Sequence, residues 1–227
     1  MSRQRLQHLD VLRAIAFIFV VMQHILGGYS NLSGIRRFEY LILKFFYALA
    51  KPAVPIFLML SAIALFYSYS ESFSIKDYYF KRVKFVIIPY VLWSIINMVK
   101  LAPERLSSFF LQLLAGNGVY HLWYMGMIIR LYLFFPLILW AAKKIHKQKA
   151  WIRVTVAVVS VVVYYLLTNN QTPITTSVAQ FIFGSPSELE QRIVYISPLF
   201  WFLFFNLGIY IAMNIRKRLS SLEDINS

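Results

Sequence analysis

The sequence predicts an all-α, polytopic integral membrane protein, and three observations lead to this class. Of the 227 residues, 59% are hydrophobic and only 14% are charged, whereas soluble domains contain roughly 25% charged residues. The mean hydropathy is +0.63. The apolar residues also fall in runs of ~20 residues, the length of helix that crosses the core of a bilayer. Together these features predict a helical bundle with about six transmembrane helices.

The predicted spans follow one another along the chain as one transmembrane domain, residues 1–227. The first run lacks a small-residue cleavage site and is too long for a signal peptide, so we interpret it as a retained span. A shorter run, 106–114, is predicted to lie at the membrane interface or to re-enter it. Residues 215–227 are predicted to form a cytoplasmic tail or the start of a loop. The six predicted spans are 9–28, 52–69, 83–101, 119–142, 152–168 and 194–214.

The distribution of basic residues predicts that both termini face the cytoplasm. Most of the 23 lysines and arginines lie at the N-terminus and in the segments that follow the second, fourth and sixth spans, as expected for cytoplasmic loops. The long loop 169–192 is polar and nearly free of lysine, which favours the outer side. Since the net charge of +14 resides in short clusters between spans, the expected partner is a bilayer with anionic head groups and not a nucleic acid.

The residue inventory excludes several kinds of site. The chain has no cysteine, which excludes disulfides, a thiolate nucleophile and cysteine metal sites. It contains only four histidines and nine acidic residues, most of the acids in loops. We therefore expect no metal site and no bound cofactor.

An arginine and a histidine in the first span are the clearest candidates for function. If 9–28 is one helix, the eleven-residue step from Arg13 to His24 places both on one face, roughly 16 Å apart along the axis. Ionisable groups inside a membrane span usually face a protein interior or a wet cavity, where they act in function. Two alternatives stay open: Arg13 could snorkel and pair with Asp10, and His24 could donate a hydrogen bond between helices.

Four segments resemble motifs of the membrane acyltransferase-3 family, in the same order and with similar spacing. Residues 9–16 (LDVLRAIA) with Gln23 and His24 are similar to the first helix of that family, including its pairing of arginine and histidine. The other three are 55–62 (PIFLMLSA), 80–94 (FKRVKFVIIPYVLWS) and 121–124 (HLWY). The resemblance covers the first ~125 residues.

This resemblance implies transfer of an acyl group, often acetyl, from cytoplasmic acyl-CoA to a hydroxyl of an extracytoplasmic carbohydrate in a bacterial cytoplasmic membrane. It implies that His24 is the catalytic base and Arg13 its essential partner. It also implies functional positions at Arg82 and His121. Asp10 lies three residues before Arg13 on the same helix face, where it could orient the arginine.

General chemistry assigns the remaining candidates. Imidazole suits proton transfer near neutral pH. Arg82, Lys81 and Lys84 could bind the phosphates of acyl-CoA, or could act only in setting topology. His121, Trp123 and Tyr124 are candidates for an outer, acceptor-side site, although they could also form an interfacial aromatic belt.

Two other functions remain open on the sequence. The first is a transporter or flippase for a glycan intermediate, in which buried charges line a path. The second is an inactive or truncated family member, because the family's domain usually has more spans than the six predicted here. Substitution of His24 separates an enzyme from a carrier: an enzyme loses acyl transfer, whereas a carrier loses flux and never forms an acylated product.

Overall fold

The structure is a computed structural model that describes residues 7–29, 34–70, 72–119 and 122–226, with side chains from residue 9 to residue 215 of these ranges. Every regular element in the described ranges is helical, which confirms the all-α class. The α-helices are α1 (Gln7–Tyr29), α2 (Arg37–Ala50), α3 (Ala53–Tyr69), α4 (Ile75–Arg82), α5 (Ile88–Leu101), α6 (Phe109–Leu114), α7 (Trp123–His146), α8 (Ala150–Asn169), α9 (Gln171–Phe183), α10 (Glu188–Tyr195) and α11 (Phe202–Asn226).

Five helical stretches in the described residues are long and apolar enough to cross a membrane, and each overlaps one of the first five predicted spans. A shorter apolar stretch, Phe202–Ile215, corresponds to the sixth. The run 194–214 is not one helix: its first two residues end α10, and α11 begins at Phe202. Between them, Ser197 caps a 3₁₀ turn over Pro198–Phe200. The five long stretches are Leu9–Tyr29, Arg37–Tyr69, Ile75–Leu101, Trp123–His146 and Ala150–Asn169.

The fold divides into two compact units, Met1–Ser68 with Phe204–Ser227, and Tyr69–Leu203. In the first unit α1 packs on α2, and α3 packs closely on α11. A Cβ on Gly208 would lie 2.5 Å from the carbonyl oxygen of Met59, so only glycine permits this approach. Small residues serve the same purpose in other membrane helix pairs. Residues 215–226, which the sequence predicts as a tail, continue α11 as helix.

In the second unit, one long span contains a π-helical turn, Val83–Ile87, between α4 and α5. The N–H of Ile88 bonds to the carbonyl of Val83, one residue further back than in an α-helix. Pro89 explains the widened turn, since its ring has no N–H and would crowd the carbonyl of Phe85 four residues earlier. The turn follows Arg82 directly and contains Lys84.

The polar loop 169–192 folds as a hairpin of two short helices, α9 and α10. Gly184, with φ of +72°, makes the turn between them, a conformation that glycine adopts at no steric cost. The α10 helix starts with a capping box, in which the backbone N–H and the hydroxyl of Ser187 each donate to Glu190 Oε2 at 2.8 Å. These hydrogen bonds hold the pKa of Glu190 below its ordinary value.

Candidate functional site

The α1 helix carries the arginine and histidine of the first motif. It is continuous from Gln7 to Tyr29, so Arg13 and His24 do share one face at a separation of roughly 16 Å. Arg13 Nη1 donates to Asp10 Oδ1 at 3.1 Å, and the two side chains are 41% and 46% exposed. His24 is exposed as well. This stripe therefore lies on the surface of its own unit and is not enclosed by that unit.

Gln23, the neighbour of His24, anchors α1 at the break between α2 and α3. Its side-chain amide donates at 2.7 Å to the carbonyl of Ala50, the last residue of α2. Four residues further along α1, a Cβ on Gly27 would lie 3.3 Å from the ring of Tyr47. This contact fixes the helical turn that bears His24. Sequence reasoning gave Gln23 no role, although a glutamine beside the motif histidine inside a span was an available signal.

Arg82 lies in a cage of three tyrosines. Its guanidinium carbon is 5.9 Å from the ring centre of Tyr69 and 5.4 Å from those of Tyr78 and Tyr132, distances typical of cation–π contacts. Its Nη2 also donates to the hydroxyl of Tyr69 at 3.4 Å. Within the described side chains, no carboxylate forms a salt bridge with Arg82, and its buried Nε has no hydrogen-bond partner. The guanidinium is thus held in place with capacity left for an anion.

A proline in α7 accounts for the way the cage is assembled. Pro136 has no N–H, so the carbonyl of Tyr132, four residues earlier, loses its partner within the helix. The hydroxyl of Tyr78 donates to that oxygen at 2.7 Å. Tyr78 is fully buried and stacks on Phe135 at 5.4 Å. This hydrogen bond therefore fastens α4 to α7, and with it the side chain of Arg82.

The two lysines near Arg82 also lie over aromatic rings. Lys81 Nζ is 6.0 Å from the ring centre of Tyr69, and Lys84 Nζ is 5.3 Å from that of Phe85. Both lysines are exposed. Counted from Ile75, the three cations lie about 10 Å along the helix axis from the start of the span. The three predicted donor-side residues thus lie near one end of a span, each beside an aromatic ring.

The predicted acceptor-side residues lie at the start of α7, except that His121 falls outside the described residues. The ring of Trp123 lies 5.5 Å from that of Trp201 and 6.3 Å from that of Tyr124. A Cβ on Gly116 would lie 2.6 Å from Trp123 Cα, and φ of Gly116 is +58°. Both the close approach and the positive φ therefore require glycine at this position. The loop before α7 is therefore pressed directly against the fourth motif.

Three arginines bind carbonyl groups of this loop. Arg130 donates to the carbonyl of Leu114 and, at 2.6 Å, to that of Ile193. Arg192 Nε reaches the carbonyl of Ala115 at 3.2 Å, and Arg105 Nη1 that of Asn117 at 2.7 Å. Arg130, a charge inside a predicted span, therefore makes structural contacts here. The sequence did not indicate the hydrogen bonds of Arg105 and Arg192, because both side chains donate to main-chain carbonyl groups of residues that are not their neighbours in sequence.

The described candidates are divided between the units. Asp10, Arg13 and His24 belong to the first, and Lys81, Arg82, Lys84, Trp123 and Tyr124 to the second. In the first unit the candidates form one stripe on α1. In the second unit they form a cationic cluster at the end of α4 and an aromatic group at the start of α7.

Comparison with known proteins identifies the family. The family model for the acyltransferase-3 group, described as an acyltransferase domain, matches residues 6–224. Neither the curated proteins nor the solved structures contain a match to this chain. Since the family model covers essentially the whole sequence and five described helices are suited to cross a bilayer, the chain belongs to the membrane acyltransferase-3 family and is a multi-pass membrane acyltransferase.

Proposed function

We propose that this protein is an O-acyltransferase of the bacterial cytoplasmic membrane. It moves an acyl group, acetyl in the first instance, from cytoplasmic acyl-CoA to a hydroxyl of an extracytoplasmic carbohydrate, such as a surface polysaccharide or a cell-wall glycan. Family membership supports acyl transfer. The choice of donor, acceptor and acyl group rests on the residues below and on the predicted N-in, C-in orientation.

The observation that carries the donor assignment is the caged guanidinium of Arg82. An arginine without a carboxylate partner among the described side chains, flanked by Lys81 and Lys84, has the charge and the fork geometry that bind phosphate. Acyl-CoA is the acyl donor that carries several phosphates. The predicted orientation puts this end of the span at the cytoplasmic surface, from which acyl-CoA would arrive.

The reaction needs one proton acceptor and one leaving group. His24 takes the proton of the acceptor hydroxyl while its oxygen attacks the thioester carbonyl. The carbon–sulfur bond then breaks, the ester forms, and the imidazolium returns its proton to the departing thiolate of CoA. No redox partner or metal enters this balance.

Arg13 is better suited to hold the donor than to stabilise the oxyanion. The oxyanion forms within hydrogen-bond reach of the hydroxyl that His24 deprotonates, whereas Arg13 lies roughly 16 Å away along α1. A side chain at that distance from His24 can contact the pantetheine arm of the donor. The 3.1 Å contact with Asp10 orients it for this purpose.

The first experiment follows labelled acetyl groups from acetyl-CoA into glycan in membranes that carry the full chain, its His24→Ala variant, or His146→Ala as a control histidine outside the motifs. We expect label with the wild type and His146→Ala, and none with His24→Ala. Unchanged transfer by His24→Ala would overturn its role as the base. If none of the three proteins transfers label although each is well inserted in the membrane, the O-acyltransferase proposal is wrong and a carrier is favoured. Glycan flux across vesicle membranes would then be measured.

Arg82→Lys tests the donor site separately. It keeps the charge but loses the planar fork, so we expect the KM for acetyl-CoA to rise about tenfold with little change in kcat, a loss of roughly 1.4 kcal/mol in binding. A fall in kcat at constant KM would contradict the assignment.

A further inference from the structure

The α9–α10 hairpin bears a polar groove, which we call the α10 groove, formed by two adjoining clefts that share Glu188 and Arg192. The clefts have volumes of about 280 and 330 Å³, near the lower end of ordinary small-molecule pockets at about 300 Å³. The first is also lined by Thr172, Thr175, Thr176, Gln191 and Tyr195, and the second by Gln112, Asn117 and Leu189.

We propose that the α10 groove binds the carbohydrate acceptor, with one sugar ring in each cleft. This inference rests on the proposed function, because it names the place where the acceptor of that reaction is held. It concerns the specificity of binding and leaves the chemistry at His24 unchanged.

The chemistry of the lining fits a polyol. Hydroxyl and amide groups, together with one carboxylate and one guanidinium, offer both donors and acceptors, as a sugar hydroxyl does. Leu189 is the single aliphatic side chain among the lining residues. Tyr195 is 50% exposed, and its ring gives the first cleft an apolar surface on which the C–H face of a sugar can rest.

A buried hydroxyl at the base of the first cleft has no partner. Thr175 is 5% exposed, and among the described residues its Oγ1 makes no hydrogen bond. A buried polar group without a partner is unfavourable, and it is retained where a ligand supplies the partner. The position of Thr175 in the lining of the cleft indicates that this ligand approaches through the groove.

The second cleft has rigid polar walls. Gln112 is 7% exposed and donates to the hydroxyl of Ser108 at 3.0 Å, while its own side-chain oxygen accepts from Asn117 Nδ2 at 2.8 Å. Arg105 holds the carbonyl of Asn117. Groups fixed in this way lose little freedom when a ligand binds, which favours specificity.

The groove also adjoins the acceptor-side motif. Asn117, which lines the second cleft, directly follows Gly116, and a Cβ on Gly116 would clash with the backbone of Trp123. At the other side, a Cβ on Gly126 of α7 would lie 3.1 Å from Ile196, the residue after Tyr195. A glycan in the groove would therefore lie beside the segment Leu122–Tyr124, on the side of the membrane predicted to be outer.

The test uses the purified full chain in nanodiscs and, as the probe, oligosaccharides released from the envelope of the producing cell. Retained oligosaccharides are quantified by mass spectrometry for the wild type, Thr175→Val and Glu188→Gln. Ser177→Ala and Gln180→Ala serve as controls, because both residues are exposed on α9 and line neither cleft. We expect the wild type and controls to retain the probe and each groove variant to bind about tenfold less.

Acetyl transfer from acetyl-CoA is measured on the same preparations, so that the two proposals fail separately. Retention that depends on the groove, without transfer, would support the groove and overturn the proposed function. Transfer together with equal retention by wild type and groove variants would overturn the groove and leave the function standing. If the wild type retains no oligosaccharide, the groove proposal is also wrong.

Discussion

Replacing Tyr78 by phenylalanine tests the link between the proline in α7 and the cage around Arg82. The substitution removes only the hydroxyl that donates to the carbonyl of Tyr132 at 2.7 Å, and it leaves the ring stacked on Phe135. Because Pro136 cannot supply an N–H to that carbonyl, the variant would lose the hydroxyl that donates to it in this part-buried position.

The magnitude follows from the loss of that hydrogen bond. A buried polar group that loses its partner costs about 1–3 kcal/mol, while polar contacts between membrane helices average ~0.6 kcal/mol. We expect Tyr78→Phe to lower the free energy of unfolding by about 1–2 kcal/mol. For a chain of this size that corresponds to a decrease in Tm of roughly 2–8 °C, measured by thermal unfolding in detergent micelles.

The neighbouring tyrosine provides a matched control. The Tyr79 hydroxyl donates to the carbonyl of Leu133, also at 2.7 Å, but the residue four positions after Leu133 is Leu137, which has an N–H. Tyr79→Phe should therefore cost only ~0.6 kcal/mol or less. An equal cost for the two substitutions would contradict the argument.

A double-mutant cycle isolates the contribution of the proline. In Pro136→Ala, the new N–H can bond to the carbonyl of Tyr132 in addition to the hydroxyl of Tyr78. The cost of Tyr78→Phe should then shrink by about 0.5–1.5 kcal/mol, the coupling energy of the pair. If Tyr78→Phe lowers the free energy of unfolding equally in both backgrounds, Pro136 is not the reason that the Tyr78 hydroxyl stabilises the protein.

Three further predictions concern the second unit. Gly116→Ala should destabilise the protein by at least ~1 kcal/mol in thermal unfolding, since a Cβ would lie 2.6 Å from Trp123 Cα at a φ of +58°. Thr175→Val should leave the free energy of unfolding unchanged or raise it by up to ~1 kcal/mol, because it removes a buried hydroxyl without a partner; a clear loss of stability would argue that the hydroxyl is satisfied internally. The pKa of Glu190 is lowered from 4.5 by Ser187, so its stabilisation is present above that pH and is lost as the pH falls through the lower folded-state value. Ser187→Ala should therefore reduce Tm more at pH ~6 than at pH ~2, where only the bond from the Glu190 N–H to the Ser187 hydroxyl is still lost.

The features that the sequence predicts well are local ones. The alignment of Arg13 with His24 depends only on one helix being continuous, and apolar length indicates that continuity directly. The first five spans follow from the same signal. The start of α11 does not, because the run 194–214 is apolar throughout while Ser197 and Pro198 interrupt its backbone. A capping serine before a proline was a usable signal for that break.

Contacts between distant segments could not be predicted from spacing. Tyr78 and Tyr132 lie 54 positions apart, and no periodicity relates them; the link involves a carbonyl that receives no N–H bond from Pro136. The helical hairpin in 169–192 is an intermediate case. Its Gly184 and its Ser187–Glu190 capping box are both legible in the sequence, but the polarity of the loop concealed the two helices.

Two buried polar atoms connect the stability of this protein with its proposed function. Within the described residues, Arg82 Nε and Thr175 Oγ1 are buried without hydrogen-bond partners, and each lowers the stability of the unliganded fold. Under the proposed reaction a phosphate of the donor would accept from the guanidinium of Arg82, and a sugar hydroxyl would pair with Thr175. Natural sequences retain such unfavourable groups chiefly where function requires them. The two atoms therefore argue for one substrate at the end of α4 and another in the α10 groove, which is the arrangement that a two-substrate transferase needs.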